Sequence, residues 1–366
     1  MIDVKQKIKK RLKGISLFTG AGGMDVGFAG AGIDIILANE LNDLAVETYL
    51  ANHPQIPVLK GDVNTYFEEF KKYEGNVDII FGGPPCQGFS VAGKMDPNDE
   101  RSKLIWSFLK VVEIIKPELF IMENVKALAT LDKWKKTKEC FLQKTKELGY
   151  FCTPIVLNAA DFGVCQKRER VFFVAFKYDL NASFNKNLIE LKKTALPLRE
   201  VLSALPRFGT SGNPSTCNAK ITLAANPVLR KSPYAGMLFN GMGRPLNLNS
   251  VSQTLPASMG GNKTPIIDEN LLKNKDCSDW INSYHRKLIN KEITPEYKTA
   301  PDFLRRITIK EAAKIQTFPD DYIFIGSKTA IYTQIGNAVP CELAKSVATA
   351  AIKTLLDSKE LTRIKN

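Results

Sequence analysis

Short apolar segments alternate with amphipathic segments over residues 14–180. The apolar runs predict strands at 14–18, 33–38, 77–81, 119–122, 155–157 and 171–176. After the third of these runs, apolar residues have the spacing of one buried helical face: Leu104, Ile105, Phe108, Val111, Val112 and Ile115. Strands that alternate with helices are typical of an α/β domain with a mostly parallel sheet.

The pattern changes at about residue 186. From there to about 305, Gly, Pro, Asn and Ser accumulate and helical periodicity fades, which predicts a loop-rich, mainly β region. Thr308 and Glu311 form a capping box that predicts a helix to about Gln316. We therefore expect domains at 1–185 and 186–324, and a segment 325–366 that returns to the first domain.

The composition limits the class of protein. The chain has 366 residues, an odd number of cysteines (seven) without a C-x-x-C pair, and two histidines. Such cysteine usage argues against disulfides and against a thiolate zinc site, and it suits a reducing cytosol. The start lacks a signal-peptide core, and no apolar run reaches membrane-spanning length. We expect a soluble, cytoplasmic protein without a metal site.

The charge is strongly positive and unevenly distributed. The net charge is +13, and no acidic residue lies between Glu200 and Asp268. That stretch contains six cationic residues: Arg207, Lys220, Arg230, Lys231, Arg244 and Lys263. A surface without carboxylates favours contact with nucleic acid phosphates, although a solvated loop of chance composition remains the alternative.

A cysteine stands on a stiff turn after the third predicted strand. The sequence there is Gly82-Gly83-Pro84-Pro85-Cys86. Glycines allow close approach of the backbone to a ligand, and prolines fix φ. We interpret Cys86 as a held nucleophile, and the alternative is a buried, inert cysteine.

A glycine-rich turn follows the first predicted strand, at 18–23. Asp25 stands where a dinucleotide fingerprint requires glycine, and a carboxylate there disfavours a pyrophosphate. Glu40 has the spacing of an acid that binds ribose hydroxyls, and Asp62 is placed to reach an adenine edge. An adenosine without phosphates indicates S-adenosylmethionine, unless these carboxylates are merely surface groups.

Two further segments are candidates for the same sheet edge. Glu123 directly follows a strand and is either catalytic or a paired structural acid. Residues 166–170 (Q-K-R-E-R) precede the last strand; if that strand is antiparallel, its arginines face the cleft. A charged hairpin turn is the alternative.

Taken in order, the motifs resemble those of the DNA (cytosine-5)-methyltransferases. They are F-x-G-x-G-G (18–23), G-G-P-P-C-Q-G-F-S (82–90), E-N-V (123–125), Q-x-R-x-R (166–170) and Q-x-G-N-x-V (334–339). The resemblance covers about 14–180 and 305–345. It implies a Rossmann-like S-adenosylmethionine-dependent catalytic domain and, at 186–324, a smaller loop-rich, mainly β target-recognition domain.

The resemblance also implies the chemistry of the site. The Cys86 thiolate would attack C6 of a flipped-out cytosine, so that C5 accepts the methyl group. Glu123 would hold N3, Arg170 would bind O2 and Arg168 would support a phosphate. Ser90 and Arg101 would touch the DNA backbone from a closing loop, and segment 305–308 would organise the recognition domain.

The cofactor and partners follow from the same resemblance. Residues expected to bind the cofactor are Phe18, Gly20, Gly22, Gly23, Glu40, Asp62, Val63, Pro84 and Asn337. The expected partner is double-stranded DNA. A monomer in the bacterial cytoplasm, associated with the nucleoid and paired with a restriction endonuclease, is the expected setting.

Three other functions are compatible with parts of this sequence. A tRNA cytosine-5 methyltransferase would share the chemistry, but the long acid-free stretch and the Q-G-F-S continuation favour DNA. A catalytically silent DNA-binding paralogue is disfavoured because Cys86, Glu123 and Arg170 are all present. A nicotinamide oxidoreductase is disfavoured by Asp25 and by the Pro-Pro-Cys turn.

Overall fold

A computed structural model describes residues 11–85 and 103–365, with side chains to residue 358. The strands of the first half are β1 (Lys13–Leu17), β2 (Asp34–Glu40), β3 (Val58–Lys60), β4 (Ile79–Gly82), β5 (Leu119–Val125), β6 (Phe151–Asn158), β7 (Gln166–Lys167) and β8 (Glu169–Phe176). The later strands are β9 (Leu223–Val228), β10 (Met237–Phe239), β11 (Ser252–Gln253), β12 (Ile266–Asp268) and β13 (Leu304–Arg306).

The helices are distributed over both halves of the chain. In the first half they are α1 (Gly23–Gly30), α2 (Asp43–Asn52), α3 (Phe67–Lys71), α4 (Leu104–Ile115), α5 (Lys126–Thr130), α6 (Lys135–Glu147) and α7 (Asn181–Ile189). The others are α8 (Leu198–Ser203), α9 (Glu269–Lys273), α10 (Trp280–Ile289), α11 (Ile309–Ile315), α12 (Lys328–Asn337) and α13 (Cys341–Lys365). Within the part of the chain that the structure describes, none of these helices has the length and apolar character needed to cross a membrane.

Seven strands form the main sheet, in the order β3-β2-β1-β4-β5-β8-β6. The pairs from β3 to β5 are parallel, and β8 runs antiparallel to β5. The predicted, mostly parallel α/β sheet is therefore confirmed. The strand order reverses between β1 and β4, and in open α/β sheets ligands bind at the carboxyl ends of the strands beside such a reversal.

Apolar packing on both faces explains why the central strands stay in place. All four residues of β4 are buried, as expected for a strand covered on both sides. The predicted face of α4 is buried in the same core, where the rings of Phe108 and Phe120 meet edge to face at 5.8 Å. Gly82 has no room for a side chain, because a Cβ would lie 2.1 Å from the carbonyl oxygen of Leu17. The end of β4 is thus packed closely against β1.

The chain divides into two compact units. Unit 1 contains residues 1–157, 169–191 and 344–366, and unit 2 contains 158–168 and 192–343. The predicted domain boundaries, at 185 and 324, differ from the points at which the chain passes between the two units. The prediction also placed the short segment 158–168 in the first domain, whereas the structure places it in unit 2. The functional roles given to the two parts stay predictions.

Unit 2 is loop-rich, as expected, but helices contribute more of its regular structure than short strands do. This differs from the mainly β composition that the sequence predicted. Its apolar core includes Leu238, Phe239, Ile281 and Leu288. The last two lie on α10, whose helical spacing covers fewer than three turns inside a stretch rich in Asn and Lys. A pattern that short does not stand out from the flanking loops.

Candidate active site

The glycine-rich turn after β1 has an unusual backbone. Phe18, Gly20 and Gly22 all have left-handed φ angles, of 54°, 56° and 81°. The N–H of Gly22 donates to the carbonyl of Thr19 (3.0 Å), which closes the turn before α1 begins. A Cβ built on Gly20 would meet nothing within 4 Å. The turn therefore leaves open space next to its backbone, as a ligand-binding turn requires.

Glu40, at the end of β2, bonds directly to this turn. Its Oε2 accepts from the N–H of Gly20 (2.7 Å), and its Oε1 accepts from the N–H groups of Leu41 and Asn42 (2.9 and 2.8 Å). Oε1 already accepts two bonds, and Oε2 can accept a further one. Glu40 fixes the turn and remains half-buried, and its contact with ribose hydroxyls stays a prediction.

The segment that carries Asp62 lies beside Glu40. The N–H of Gly61 donates to the carbonyl of Glu40 (2.9 Å), and Asn39 Nδ2 donates to the carbonyls of Leu59 and Gly61 (2.8 and 3.1 Å). The side chain of Asp62 is exposed and caps the following helical turn. These bonds bring two carboxylates and the glycine turn to one edge of the sheet.

Val63 differs from its neighbour. Its side chain is 1% exposed and packs in the main core. The family resemblance implied that Val63 binds the cofactor. Because its side chain is buried, only its backbone is left for a contact with the cofactor.

The Pro-Pro turn is held by the strand next to it. Asn124 Nδ2 donates to the carbonyl of Pro84 (3.2 Å), and both groups are buried. A Cβ on Gly83 would lie 2.9 Å from Glu123 Oε2, so Glu123 lies directly against this glycine. Cys86, Ser90 and Arg101 lie outside the described residues.

Glu123 and Arg170 form an ion pair at the same place. Arg170 Nε and Glu123 Oε1 are 3.0 Å apart, and the two side chains are 16% and 11% exposed. The antiparallel register of β5 and β8 brings them together, since Arg170 pairs with Val125 and Glu123 with Phe172. A hydrogen-bond donor and an acceptor thus lie side by side in a largely dry setting, where hydrogen bonds are stronger than in water.

Arg168 occupies a different environment, inside unit 2. It is 1% exposed, and its guanidinium donates to the carbonyls of Leu255, Gly336 and Asn337 (3.3, 2.9 and 3.4 Å). The predicted support of a phosphate does not agree with this position, because a phosphate cannot reach a group buried among carbonyls.

The remaining predicted residues lie in unit 2. Asn337 is the exposed last residue of α12, and its proximity to a cofactor stays a prediction. The six cations of the acid-free stretch are all exposed: Arg207, Lys220, Arg230, Lys231, Arg244 and Lys263. Their contact with DNA also stays a prediction.

Arg305 and Arg306 organise the segments that carry some of these cations. Arg306 donates to the carbonyls of Ala219, Lys220, Asn262 and Thr264. Arg305 is buried between Glu269 and Glu311, at 2.7 Å from each. Arg306 therefore holds the Lys220 and Lys263 segments next to each other.

We expected the Asp25 carboxylate to disfavour a pyrophosphate at the start of α1. The structure places it fully buried, with bonds from Ser16, Thr19 and Tyr49. Sequence reasoning also missed Asn39 and Asn124, although an Asn directly after an apolar strand indicates a group that holds neighbouring loops. Among the residues that the structure describes, no cluster of three or more His, Cys, Asp or Glu could hold a metal ion.

Solved structures share the fold of this chain. A putative DNA modification methyltransferase encoded within a prophage (E. coli) matches with a TM-score of 0.64 at 22% identity, over 94% of this chain and 99% of that chain. The Entamoeba histolytica methyltransferase EhMeth matches with a TM-score of 0.66 at 17% identity, over 95% and 99%. The fold is therefore the Rossmann-like fold of methyltransferases.

The family follows from the sequence comparison. Residues 12–353 match the C-5 cytosine-specific DNA methylases, and the chain belongs to this family. It is thus a DNA (cytosine-5)-methyltransferase. The Type II methyltransferase M1.HphI of Haemophilus parahaemolyticus is 33% identical over 93% of this chain and 86% of its own length. The Type II methyltransferase M.FnuDI of Fusobacterium nucleatum is 32% identical over 96% and 97%.

Proposed function

We propose that this enzyme transfers a methyl group from S-adenosylmethionine to C5 of a cytosine within a specific duplex DNA sequence, through a covalent bond between Cys86 and C6. The observation that carries the proposal is the Glu123–Arg170 pair. It lies against Gly83, three residues before Cys86 in the sequence, at the strand ends where this fold binds ligands.

The donor set beside the glycine turn fits the cofactor. The turn offers open space, and Glu40 and Asp62 offer carboxylate acceptors for hydroxyl and amino groups. Carboxylates suit an adenosine without phosphates and repel one that carries them. When bound, S-adenosylmethionine supplies an electrophilic methyl group.

The chain's own residues prepare the cytosine. The Cys86 thiolate forms an Sγ–C6 bond, and the displaced C5–C6 π electrons make C5 a nucleophile. Glu123 holds N3 and supplies a proton there as C6 is attacked, while Arg170 donates to O2. After C5 is methylated, N3 returns its proton to Glu123, a base removes the C5 proton, the double bond re-forms and the thiolate leaves C6. Because C6 is inaccessible in a stacked duplex, the base must be flipped out.

Unit 2 is proposed as the part that reads the DNA sequence. The exposed cations of its acid-free stretch can contact phosphates, and no carboxylate is present in the sequence of that stretch to repel them. The curated relatives are named Type II methyltransferases. We propose that this chain likewise protects DNA in a bacterial cytoplasm from a cognate restriction endonuclease.

The experiment has two stages. Bisulfite sequencing of DNA from cells that express the chain identifies the methylated sequence. Purified protein is then incubated with S-adenosylmethionine and a duplex that carries 5-fluorocytosine at that position, where fluorine cannot leave as the proton does. We expect a covalent protein–DNA adduct with the wild-type chain and none with Cys86→Ala. Absence of methylated cytosine in the cells contradicts the function, and methylation without an adduct contradicts the covalent mechanism.

A further inference from the structure

Asp25 is a buried acid that the proposed chemistry does not use. Its side chain is 0% exposed. Three hydroxyl groups donate to it: Ser16 Oγ and Thr19 Oγ1 to Oδ2 (3.0 and 3.1 Å), and Tyr49 Oη to Oδ1 (3.0 Å). Among the described residues, no lysine or arginine forms an ion pair with it. A buried carboxyl without a cation costs folding free energy, so its presence calls for an explanation.

The three donors come from three different elements. Ser16 lies in β1, Thr19 in the glycine-rich turn and Tyr49 in α2, while Asp25 itself lies in the first turn of α1. The carboxyl therefore joins β1, the glycine-rich turn and α2 to the start of α1. Of the three donors, Thr19 alone belongs to the turn itself.

Thr19 stands between residues of unfavourable backbone conformation. Phe18 before it and Gly20 after it both have left-handed φ angles, and for Phe18 this conformation is strained. Such strain persists only where surrounding contacts fix it. The Thr19 N–H donates to the carbonyl of Asn39 (3.1 Å), its carbonyl accepts from Gly22, and its hydroxyl donates to Asp25. Of these three bonds, the one from the Thr19 hydroxyl links the turn to the buried carboxyl of Asp25.

We propose that Asp25 is a positioning residue for the cofactor, acting through Thr19 to keep residues 18–23 in the conformation that binds S-adenosylmethionine. This inference rests on the proposed function. Asp25 fixes the turn from within and Glu40 fixes it from the adjacent strand, so that the open space beside Gly20 keeps its shape. The bonds from Ser16 and Tyr49 hold the carboxyl and do not hold the turn.

The test compares two variants that each remove one hydroxyl from the same carboxyl. Thr19→Val removes the bond to the turn, and Tyr49→Phe removes the bond to α2. Titration calorimetry of the full chain with S-adenosylhomocysteine measures the dissociation constant, and thermal unfolding measures stability. We expect Thr19→Val to weaken binding about tenfold and Tyr49→Phe less than twofold, with similar decreases in Tm, since each loses one bond of comparable strength.

A third variant separates the hydroxyl from the size of the side chain. Thr19→Ser restores the hydroxyl, and we expect it to recover wild-type affinity to within about twofold. Equal affinities of Thr19→Val and Tyr49→Phe, or no recovery by Thr19→Ser, would show that Asp25 has a structural role alone. If the wild-type chain binds neither S-adenosylhomocysteine nor S-adenosylmethionine, the proposed function itself fails, and the inference fails with it.

Discussion

At the scale of single residues, Glu123 depends on its neighbours for its position. β8 supplies Arg170 on one side, and the absence of a side chain at Gly83 leaves room on the other. A Cβ at position 83 would push the carboxylate away from its present place. The spacing between these groups therefore depends on β5, on β8 and on the segment that follows β4.

Glu123→Gln tests whether this acid acts in the chemical step. Glutamine keeps the size and the hydrogen-bonding oxygen but has no ionisable proton, so we expect kcat to fall about 10²- to 10⁴-fold. Affinity for S-adenosylhomocysteine is expected to stay within twofold. Glu118→Gln, at a surface ion pair with Lys177 in the same unit, is the matched control. A kcat within tenfold of wild type for Glu123→Gln would exclude the role in catalysis.

The Asp25 carboxyl makes stability depend on pH. Burial raises the pKa of Asp25 from 3.8 to about 6. The folded state therefore holds this proton more tightly than the unfolded state, and its contribution is present below pH 4 and lost as pH rises through 6. We expect wild type to lose about 2 kcal/mol relative to Asp25→Asn between pH 4 and pH 7. Denaturant unfolding at both pH values measures the difference, and a difference that does not change with pH would contradict this account.

Individual residues also show where sequence reasoning stops. Glu123 could be placed from the sequence because it directly follows an apolar strand, and parallel strands share a carboxyl edge. The positions of Asp25 and Arg168 could not be inferred this way. Their burial depends on hydroxyls and carbonyls supplied by distant segments, such as Tyr49 for Asp25 and Gly336 for Arg168.

At the scale of elements, local signals gave reliable boundaries. The predicted helix of Leu104 to Ile115 has the bounds of α4, and the capping box of Thr308 and Glu311 opens α11. Both signals act within one or two helical turns. The short β12–β13 pair joins residues that are 36 positions apart or more, and its apolar runs are too short to predict from periodicity.

The loop after β10 contains a strained residue that offers a stability test. Met242 has a φ of 66° and is 61% exposed. Glycine adopts this conformation without a Cβ clash, so we expect Met242→Gly to stabilise the fold by about 1 kcal/mol. Thermal unfolding provides the measurement. Met242→Ala keeps the Cβ and should leave Tm nearly unchanged; a lower Tm for the glycine variant would show that side-chain packing outweighs the strain.

At the scale of the whole molecule, the net charge of +13 is less informative than its distribution. A uniform excess of cations would attract DNA without orienting it. The exposed cations of the acid-free stretch, by contrast, lie in one unit, and Arg306 joins the segments of Lys220 and Lys263. We therefore expect the DNA contact to depend on where cations are removed.

The salt dependence of DNA binding tests this expectation. The double variant Lys220→Gln and Lys263→Gln should reduce the slope of log K against log salt concentration by about 1 to 2, since each phosphate contact contributes about 0.9. The control, Lys345→Gln with Lys353→Gln on α13, removes the same charge from exposed sites of unit 1. Equal slopes for the two double variants would contradict a localised contact surface.

The sequence predicted that a loop-rich part interrupts the α/β domain, from the loss of periodicity near residue 186. It could not predict that 158–168 belongs with the later part, because that assignment depends on partners such as Gln316, which bonds to Gln166 across 150 positions. Motif order therefore gave the outline of the molecule. The points at which the chain passes between the two units depend on three-dimensional contacts, which the motif order does not contain.

The discontinuity of unit 1 has a consequence for how the protein is made. Residues 344–366 supply buried side chains of α13, including Val347, Ala351 and Leu355, and Thr354 bonds to Asn187 across 167 positions. Domains fold as they leave the ribosome, from the N-terminal side onward. Unit 2 can therefore reach its complete set of contacts while unit 1 still waits for α13. With the DNA contact that we propose for unit 2, a nascent chain would become competent to engage DNA before it becomes competent to modify it.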